Sequence, residues 1–503
     1  MLTCRLSPRP RACRVEALGT DPEGAVGAGC PRTAGLARPV PPPPEPAGGC
    51  YHTAAISGST VSLLNNSGIQ QTSDPRIIPR PSHTITRADI SKSALKVLYR
   101  LHGAGYQAFL VGGSVRDLLL GLHPKDFDIA TDAHPDEVKA LFGNCRLIGR
   151  RFRLAHVRFG REIIEVATFR GAAGGEEAQD AALDSHGRIL RDNVYGTLEE
   201  DVWRRDFTCN ALYYNIADFS IWDYVGGVED IRARRLVLIG DPGKRLREDP
   251  VRMLRAVRFA AKLGFTLDPT VADAMAENRR LLRNVPPARL FDEFLKMFQA
   301  GFALATFELL TRHALFAELF PETQEEIDRD PRFRRFVEAA LESTDRRVAE
   351  NKSITPMFLL GVFLWAPAKR LAERLRSKED LSESQALAIA AQDVTHMQQS
   401  RVALPRRYTA PMREMLALQP RFDVMRGRRG IKLLEHRRFR AAYDLMMLRA
   451  EVGEIGGETA DFWTRVQGQS AEDRLRGFEI GAGGAKGRKR RRSRRRRPPQ
   501  AAT

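Results

Sequence analysis

No two cysteines in this sequence are spaced as CxxC, and that absence sets the first limits on what the chain does. Six cysteines are present: Cys4, Cys13, Cys30 and Cys50 lie in a Pro/Gly/Ala-rich leader, and Cys145 and Cys209 lie beyond it. Structural zinc and a disulfide framework are therefore not indicated, and a reducing cytoplasm is the expected location. No apolar run approaches the roughly 20 residues that cross a bilayer, so no membrane partner is expected. Arg5, Arg9, Arg11 and Arg14 are not followed by the apolar stretch of a secretory signal. His-Asp dipeptides are also missing, which argues against an appended HD-type metal phosphohydrolase. Acidic residues are outnumbered by basic ones, 62 against 80, and the formal charge of +18 implies an anionic partner such as nucleic acid. More than half of that excess sits in Lys486, Arg488–Arg492 and Arg494–Arg497.

What is present fits a globular protein of two or three domains: 503 residues with 43% hydrophobic content. Residues 1 to about 85 show no sustained period of 2 or 3.6 and are expected to be disordered, as is the Gly/Arg-rich end from about 480. Order is expected to begin near Ile90 with an amphipathic helix over Ser91–His102. A strand over Gln107–Val111, a glycine turn and a helix over Ser114–Leu120 follow. Further strands are expected at Asp126–Ile129, Ala155–Phe159, Ile163–Thr168, Ala211–Asn215 and Phe219–Asp223. Strands mixed with helices over about 150 residues suggest an α+β domain. From Asp249 the pattern turns helical, with helices at Pro250–Leu263, Val271–Leu282, Pro287–Ala300 and Leu304–His313, and further helices to about residue 450.

Side chains alternate along a strand, so Asp126 and Asp128 project from one side, about 6.5–7 Å apart. Two carboxylates so placed suit a pair of Mg²⁺ ions. Asp-x-Asp alone is weak, because Asp328-Arg329-Asp330 repeats it in what reads as a solvated helix end. The context is more specific. Leu110-Val111-Gly112-Gly113-Ser114-Val115-Arg116-Asp117 reads as strand, turn and helix start, where glycines let backbone N–H groups approach a phosphate. Ser114 and Arg116 can add a hydroxyl and a guanidinium. A third carboxylate is expected from Asp206, in Arg204-Arg205-Asp206-Phe207-Thr208-Cys209-Asn210-Ala211-Leu212, or from Glu165. Asp206 reads equally well as a partner in an ordinary Arg–Asp surface pair.

Together, Leu110–Gly121, Lys125–Thr131, Arg204–Leu212 and Glu248–Phe265 resemble, in kind and order, the nucleotidyltransferases that comprise bacterial poly(A) polymerases and CCA-adding enzymes. The resemblance implies an α+β nucleotidyltransferase head over residues 86–240, a helical neck over 241–330 and a helical body over 331–480. It also implies two Mg²⁺ ions and nucleotide transfer to an RNA 3′ hydroxyl, with Asp126, Asp128 and Asp206 on the family's catalytic acidic positions. Asp249 and Arg252 fall on the pair that reads the incoming base. One helical turn apart, they share a face, so a carboxylate can accept from an exocyclic amine while a guanidinium donates to the ring nitrogen. Asp249 before Pro250 is equally well made as a helix cap.

Adenine and cytosine offer that pair the same pattern, so it does not choose between ATP and CTP. Leu147–Val157, with Arg150, Arg151 and Arg153, the segment Gly171–Asp201 and the arginine-rich tail all resemble the polyadenylating branch. ATP is then the substrate, RNA 3′ ends are the acceptor, and RNA-decay proteins are further candidate partners. CCA addition and a non-catalytic RNA-binding scaffold are the alternatives. Arg437, Arg438 and Arg440 on a helix over Ile431–Glu451 are candidate RNA contacts, as are Tyr408 and Phe422 beside Arg406, Arg407 and Arg421. Each reads equally as solvated surface or core.

Overall fold

A computed structural model describes residues 74–149, 153–171 and 194–478. Residues 1–73 of the expected leader, Arg150 and Arg151, most of the Gly171–Asp201 segment and the arginine-rich tail lie outside the described residues. Residues 74–85, expected to be disordered, belong to the fold: β1 (Arg76–Ile78) pairs with a strand of the head, and Ile85 is buried.

The head is built on one eight-stranded sheet. After β1 come β2 (Ala108–Val111), β3 (Asp128–Thr131), β4 (Cys145–Ile148), β5 (Leu154–Phe159), β6 (Glu162–Thr168), β7 (Leu212–Asn215) and β8 (Ile221–Asp223), in spatial order β1-β8-β7-β2-β3-β6-β5-β4. Every pairing is antiparallel except β3 with β6. That parallel pair sets Asp128 opposite Glu165, while β2 sets Val111 opposite Asp128. The strand expected over Asp126–Ile129 begins at Asp128. β1 and β4 were not anticipated, being three and four residues long at the two sheet edges.

One sheet face is covered by α1 (Lys92–Gly103). Its Ser91 cap accepts from Ala94 N at 3.0 Å, and Ala94, Val97, Leu98 and Leu101 form the buried stripe. They pack in one core with Leu110, Ile129 and Val166; full burial of such side chains stabilises by about 1.5–3 kcal/mol each. The other face carries a smaller apolar cluster, including Phe109, Val111, Ala130, Phe169 and Tyr213. Asp128 stands at the edge of that second face. Around the sheet lie α2 (Gly113–Leu119), α3 (Pro135–Leu141), α4 (Leu198–Arg204) and α5 (Gly227–Arg232).

Helices then take over, as expected. The neck comprises α6 (Pro242–Glu248), α7 (Val251–Leu263), α8 (Pro269–Asn278), α9 (Pro287–Phe298), α10 (Ala303–Arg312), α11 (Phe316–Leu319) and α12 (Pro321–Arg329). A short parallel pair, β9 (Arg235–Leu236) with β10 (Thr266–Leu267), ties it to the head. The body comprises α13 (Pro331–Ala349), α14 (Pro356–Arg376), α15 (Glu383–Gln399), α16 (Arg406–Ala417), α17 (Arg428–Leu434), α18 (Phe439–Glu451), α19 (Gly457–Gln467) and α20 (Ala471–Gly477). Neck and body share a core, since Phe363 of α14 packs edge-on against Phe294, Phe298, Phe316 and Phe320. Two expected helices are broken: α8 ends at Asn278 in a 3₁₀ turn over Arg279–Asn284, and Ile431–Glu451 is split between α17 and α18. Among the described residues no helix is long and apolar enough to cross a membrane.

The loop into α5 supports the turn that follows Asp206. The buried Asp223 carboxylate accepts from the backbone of Val225, Gly227 and Val228. A Cβ on Gly227 would come within 2.2 Å of the Thr208 carbonyl oxygen. Gly227→Ala is therefore expected to lower stability by about 1–3 kcal/mol, read as a shift of the urea unfolding midpoint. An unchanged midpoint would show that the Thr208 turn is not pinned there.

Candidate active site

Head and neck enclose a cleft of about 1330 Å³. Nine of the candidate site residues singled out in the sequence line it, namely Gly112, Gly113, Ser114, Arg116, Asp126, Asp128, Asp206, Asp249 and Arg252, whereas Glu165 does not. Lys and Arg outnumber Asp and Glu along its walls, which suits a polyanionic ligand.

Asp126 lies just ahead of β3 and Asp128 opens it, with the buried Phe127 between them turned to the core. The alternation expected of a strand thus holds although β3 starts later. Crowding by the cleft walls pushes the Asp128 carboxyl up to about 6; the charges of Glu165 and Asp126 push the same way, and Arg205 opposes them. The carboxyl group still meets solvent, so it is hemmed in without being sealed off. Glu165 does not line the cleft but occupies the adjoining strand position, with His156 Nε2 3.3 Å from its Oε1. Among the described residues no three or more His, Cys, Asp or Glu side chains form a ready metal cage.

The glycine turn is as tight as the sequence suggests. Gly112 has φ 72° and ψ −134°, a backbone state closed to residues with a Cβ, and caps α2. The N–H groups of the first helical turn have no acceptor within the helix. Ser114 and Arg116 differ from expectation. The Ser114 hydroxyl donates to Val111 O at 2.9 Å, and Arg116 is 2% exposed. Its guanidinium donates twice to Asp117, at 2.8 and 2.6 Å, and once to Asn210, and sits 5.4 Å from the Phe259 ring centroid. A phosphate contact by Arg116 was expected from charge alone; sequence does not reveal that the charge is already partnered inside.

Asp206 pairs neither with Arg204 nor with Arg205. Its Oδ1 accepts from Phe207 N at 2.9 Å, and its Oδ2 meets Arg255 of α7 at 2.7 and 2.5 Å. Asp249 Oδ1 accepts from Val251 N at 3.2 Å, so it does help to start α7, and its Oδ2 meets Arg289 at 2.6 Å. Arg252 contacts Glu248 at 3.0 Å and the Arg245 carbonyl at 2.6 Å. Asp249 and Arg252 are joined by a backbone hydrogen bond, Arg252 N donating to Asp249 O at 3.0 Å, but their side chains pair with other partners.

Several lining residues escaped the sequence argument. Arg205 is held by Asp201 and by the Tyr213 hydroxyl at 2.6 Å, and its Nη1 lies beside the Gly112 turn. Arg255, Arg258 and Lys262 recur at helical spacing along one side of α7, a signal the sequence did carry. The Phe259 ring lies between Arg116, Arg255 and Arg258. Of the outlying RNA candidates, Arg437 and Arg438 pair with Glu414, and Arg440 pairs with Asp444. Phe422 is core against Trp463, and Tyr408 is half-buried against Phe291. The decoy resolves as expected: Asp330 caps α13, accepting from Arg332 N at 2.8 Å.

A mixed sheet with a glycine turn, an Asp-x-Asp strand and a following helical neck is the architecture of a nucleotidyltransferase head and its helical extension. The sequence profile described as "Poly A polymerase head domain" matches residues 108–237. Those described as "Probable RNA and SrmB- binding site of polymerase A" and "Polymerase A arginine-rich C-terminus" match 264–327 and 379–497. Poly(A) polymerase I of Escherichia coli O6:H1 is 50% identical over 380 residues, 75% of this chain and 82% of that protein. Poly(A) polymerase I of Haemophilus influenzae is 44% identical over 411 residues, 80% and 90% respectively. The CCA-adding enzyme of Lactobacillus helveticus is 41% identical over 209 residues, 42% of this chain and half of that enzyme. The solved Thermotoga maritima CCA-adding enzyme complexed with tRNA superposes with a TM-score of 0.50 at 19% identity, over 75% of this chain and 82% of that one, a likeness of fold. The chain belongs to the poly(A) polymerase family.

Removing the Arg116 guanidinium would leave Asp117 and Asn210 without their buried partner. Arg116→Ala is therefore expected to destabilise the fold by about 3–5 kcal/mol, seen as a large drop in Tm without nucleotide. A variant that melts like the parent but binds ATP poorly would instead make Arg116 a phosphate ligand.

Proposed function

We propose that the protein adds AMP from ATP to RNA 3′ ends without a template. The observation that carries this is the 44–50% identity to poly(A) polymerase I over three quarters or more of the chain, combined with one cleft lined by nine of the sequence-predicted site residues. CCA addition is the weaker alternative, since the sequence likeness to the Lactobacillus helveticus CCA-adding enzyme spans only half of that enzyme's length.

Asp126 and Asp128 are the residues that would hold Mg²⁺. They are hard oxygen donors at an accessible strand end, and burial together with the charge of Glu165 raises the Asp128 carboxyl, a cost that a bound cation would offset. Two Mg²⁺ ions bound there would activate the attacking hydroxyl and stabilise the departing pyrophosphate. Glu165 is the better third carboxylate. It is in register with Asp128 across the parallel pair, whereas both oxygens of Asp206 are already engaged. Asp206 then assists by positioning, holding α7 against the head through Arg255.

The remaining residues bind and orient. Backbone N–H groups at Gly113 and Ser114 cradle the triphosphate, Gly112 shapes the turn while its own N–H donates to Leu212 O at 3.3 Å, Arg116 braces that turn, and Arg205 stands behind it. Asp249 accepts from the adenine amine and Arg252 donates to the adjacent ring nitrogen, once Arg289 and Glu248 share them. With the α-phosphate placed at the Asp-x-Asp edge, the RNA 3′ oxygen forms its bond to phosphorus as the α–β phosphoanhydride breaks and pyrophosphate leaves. The hydroxyl proton passes to the carboxylate edge or to water.

Three measurements test this. Asp128→Ala is expected to cut nucleotide incorporation by at least about 10²–10³-fold with an unchanged far-UV CD spectrum; full activity would remove the carboxylate pair from the mechanism. Purified protein with ATP and an unstructured RNA is expected to give long homopolymer tails. Incorporation that stops after CCA on a tRNA lacking that end would overturn polyadenylation. Arg252→Ala is expected to lower kcat/KM for ATP about 10–100-fold, the worth of a hydrogen bond from a charged group.

A further inference from the structure

The cross-strand register of the head places a row of polar residues on the sheet face that bears Asp128. Arg146 of β4 is opposite His156 of β5, His156 is opposite Glu165 of β6, and Glu165 is opposite Asp128 of β3. Paired residues on adjacent strands project from the same face, so four consecutive strands deliver one contiguous line ending at the carboxylate pair. Within it, His156 Nε2 lies 3.3 Å from Glu165 Oε1. The imidazole is sheltered, its side chain 17% exposed, whereas Glu165 is 48% exposed. A long acidic side chain at an open strand position has several rotamers available and no reason to stay beside another carboxylate that repels it.

We propose that His156 is a positioning residue: it holds Oε1 of Glu165 on the β5 side and so leaves the other carboxylate oxygen facing Asp128. The proposal rests on the reading of Glu165 as the third carboxylate. The alternation of β5 supports it. Ala155 and Val157 enter the core on either side of His156, so the ring is committed to the opposite face by its neighbours. On β6, Ile164 and Val166 do the same for Glu165, and Ala167, the next residue on the Glu165 face, lines the cleft. Side chains that orient a metal-binding group from behind commonly affect metal affinity or turnover by 10–100-fold without touching substrate. Hydrophobic residues would pack at position 156 equally well. A ring nitrogen in contact with Glu165 is what packing alone does not require.

The test uses the full chain. His156→Ala is expected to lower kcat about 10–100-fold with little change in the KM for ATP. Mn²⁺ binding, measured by electron paramagnetic resonance on enzyme without ATP or RNA, is expected to weaken by a similar factor. His156→Gln, which returns an N–H donor near the same place, is expected to recover part of both losses, and it serves as the working variant should His156→Ala fail to fold. A purely structural role would lower Tm for both variants and leave Mn²⁺ affinity and kcat of the folded fraction unchanged; that result overturns the proposal. Glu165→Gln separates the two claims. If it is fully active, the third-carboxylate reading falls and the role of His156 falls with it. If it is inactive while the His156 variants bind Mn²⁺ and turn over like the parent, only the role of His156 is lost.

Discussion

The Arg116 guanidinium is buried where three separate stretches of chain meet: it bonds to Asp117 beside it, reaches Asn210 after the Arg-Arg-Asp block, and lies against the Phe259 ring of α7. A buried cation is costly unless it is well partnered, so the three stretches are obliged to come together around it. The glycine turn, the Asp206 turn and the neck helix are thereby fixed in mutual position. Two further bonds finish the joint. Arg255 takes Asp206 and Lys262 reaches Asp117, so α7 is tied to the head at two points two helical turns apart.

Electrostatics in the cleft then divide into two regions. Around Arg116, Arg205 and Arg255 every charge is answered by an opposite one at bonding distance, which gives rigidity. At the strand end, burial first, and then the charges of Glu165 and Asp126, raise the cost of ionising Asp128, with Arg205 opposing. The imbalance is local. A protein that is strongly basic overall thus gathers acidic side chains at the end of an interior strand, in a cleft where Lys and Arg outnumber Asp and Glu.

Much of this was legible in the sequence, and the exceptions have physical causes. The amphipathic stripe of α1, the run of β5 and β6, and the change to helices near Asp249 follow from periodicity, which local side chains dictate. The shared facing of Asp126 and Asp128 holds despite a two-residue error in the start of β3, because the buried Phe127 fixes the facing of its neighbours whether or not the backbone pairs there. β1 and β4 were invisible because three or four residues carry too little pattern; partner strands far along the chain define them. Arg116, Ser114 and Asp206 look alike in sequence whether their polar groups point to a ligand or inward. Only tertiary partners decide that, and for all three the partners are internal. The break before α18 was hidden for a similar reason, since apolar spacing continues through Glu435–Arg438 while the helix does not.

The parallel pairing of β3 with β6 has a consequence for how the protein comes into being. Antiparallel neighbours can zip from a hairpin, but parallel ones need a crossover, here the whole of α3, β4 and β5, and their contacts close late. Asp128 cannot sit opposite Glu165 until that crossover is complete, and the cleft is not walled until Phe302 has been added. Because synthesis runs from the N-terminus, a ribosome-bound fragment carries the Asp-x-Asp pair long before it carries the geometry around it. A nascent chain that stops short of Phe302 therefore lacks part of the wall of the cleft.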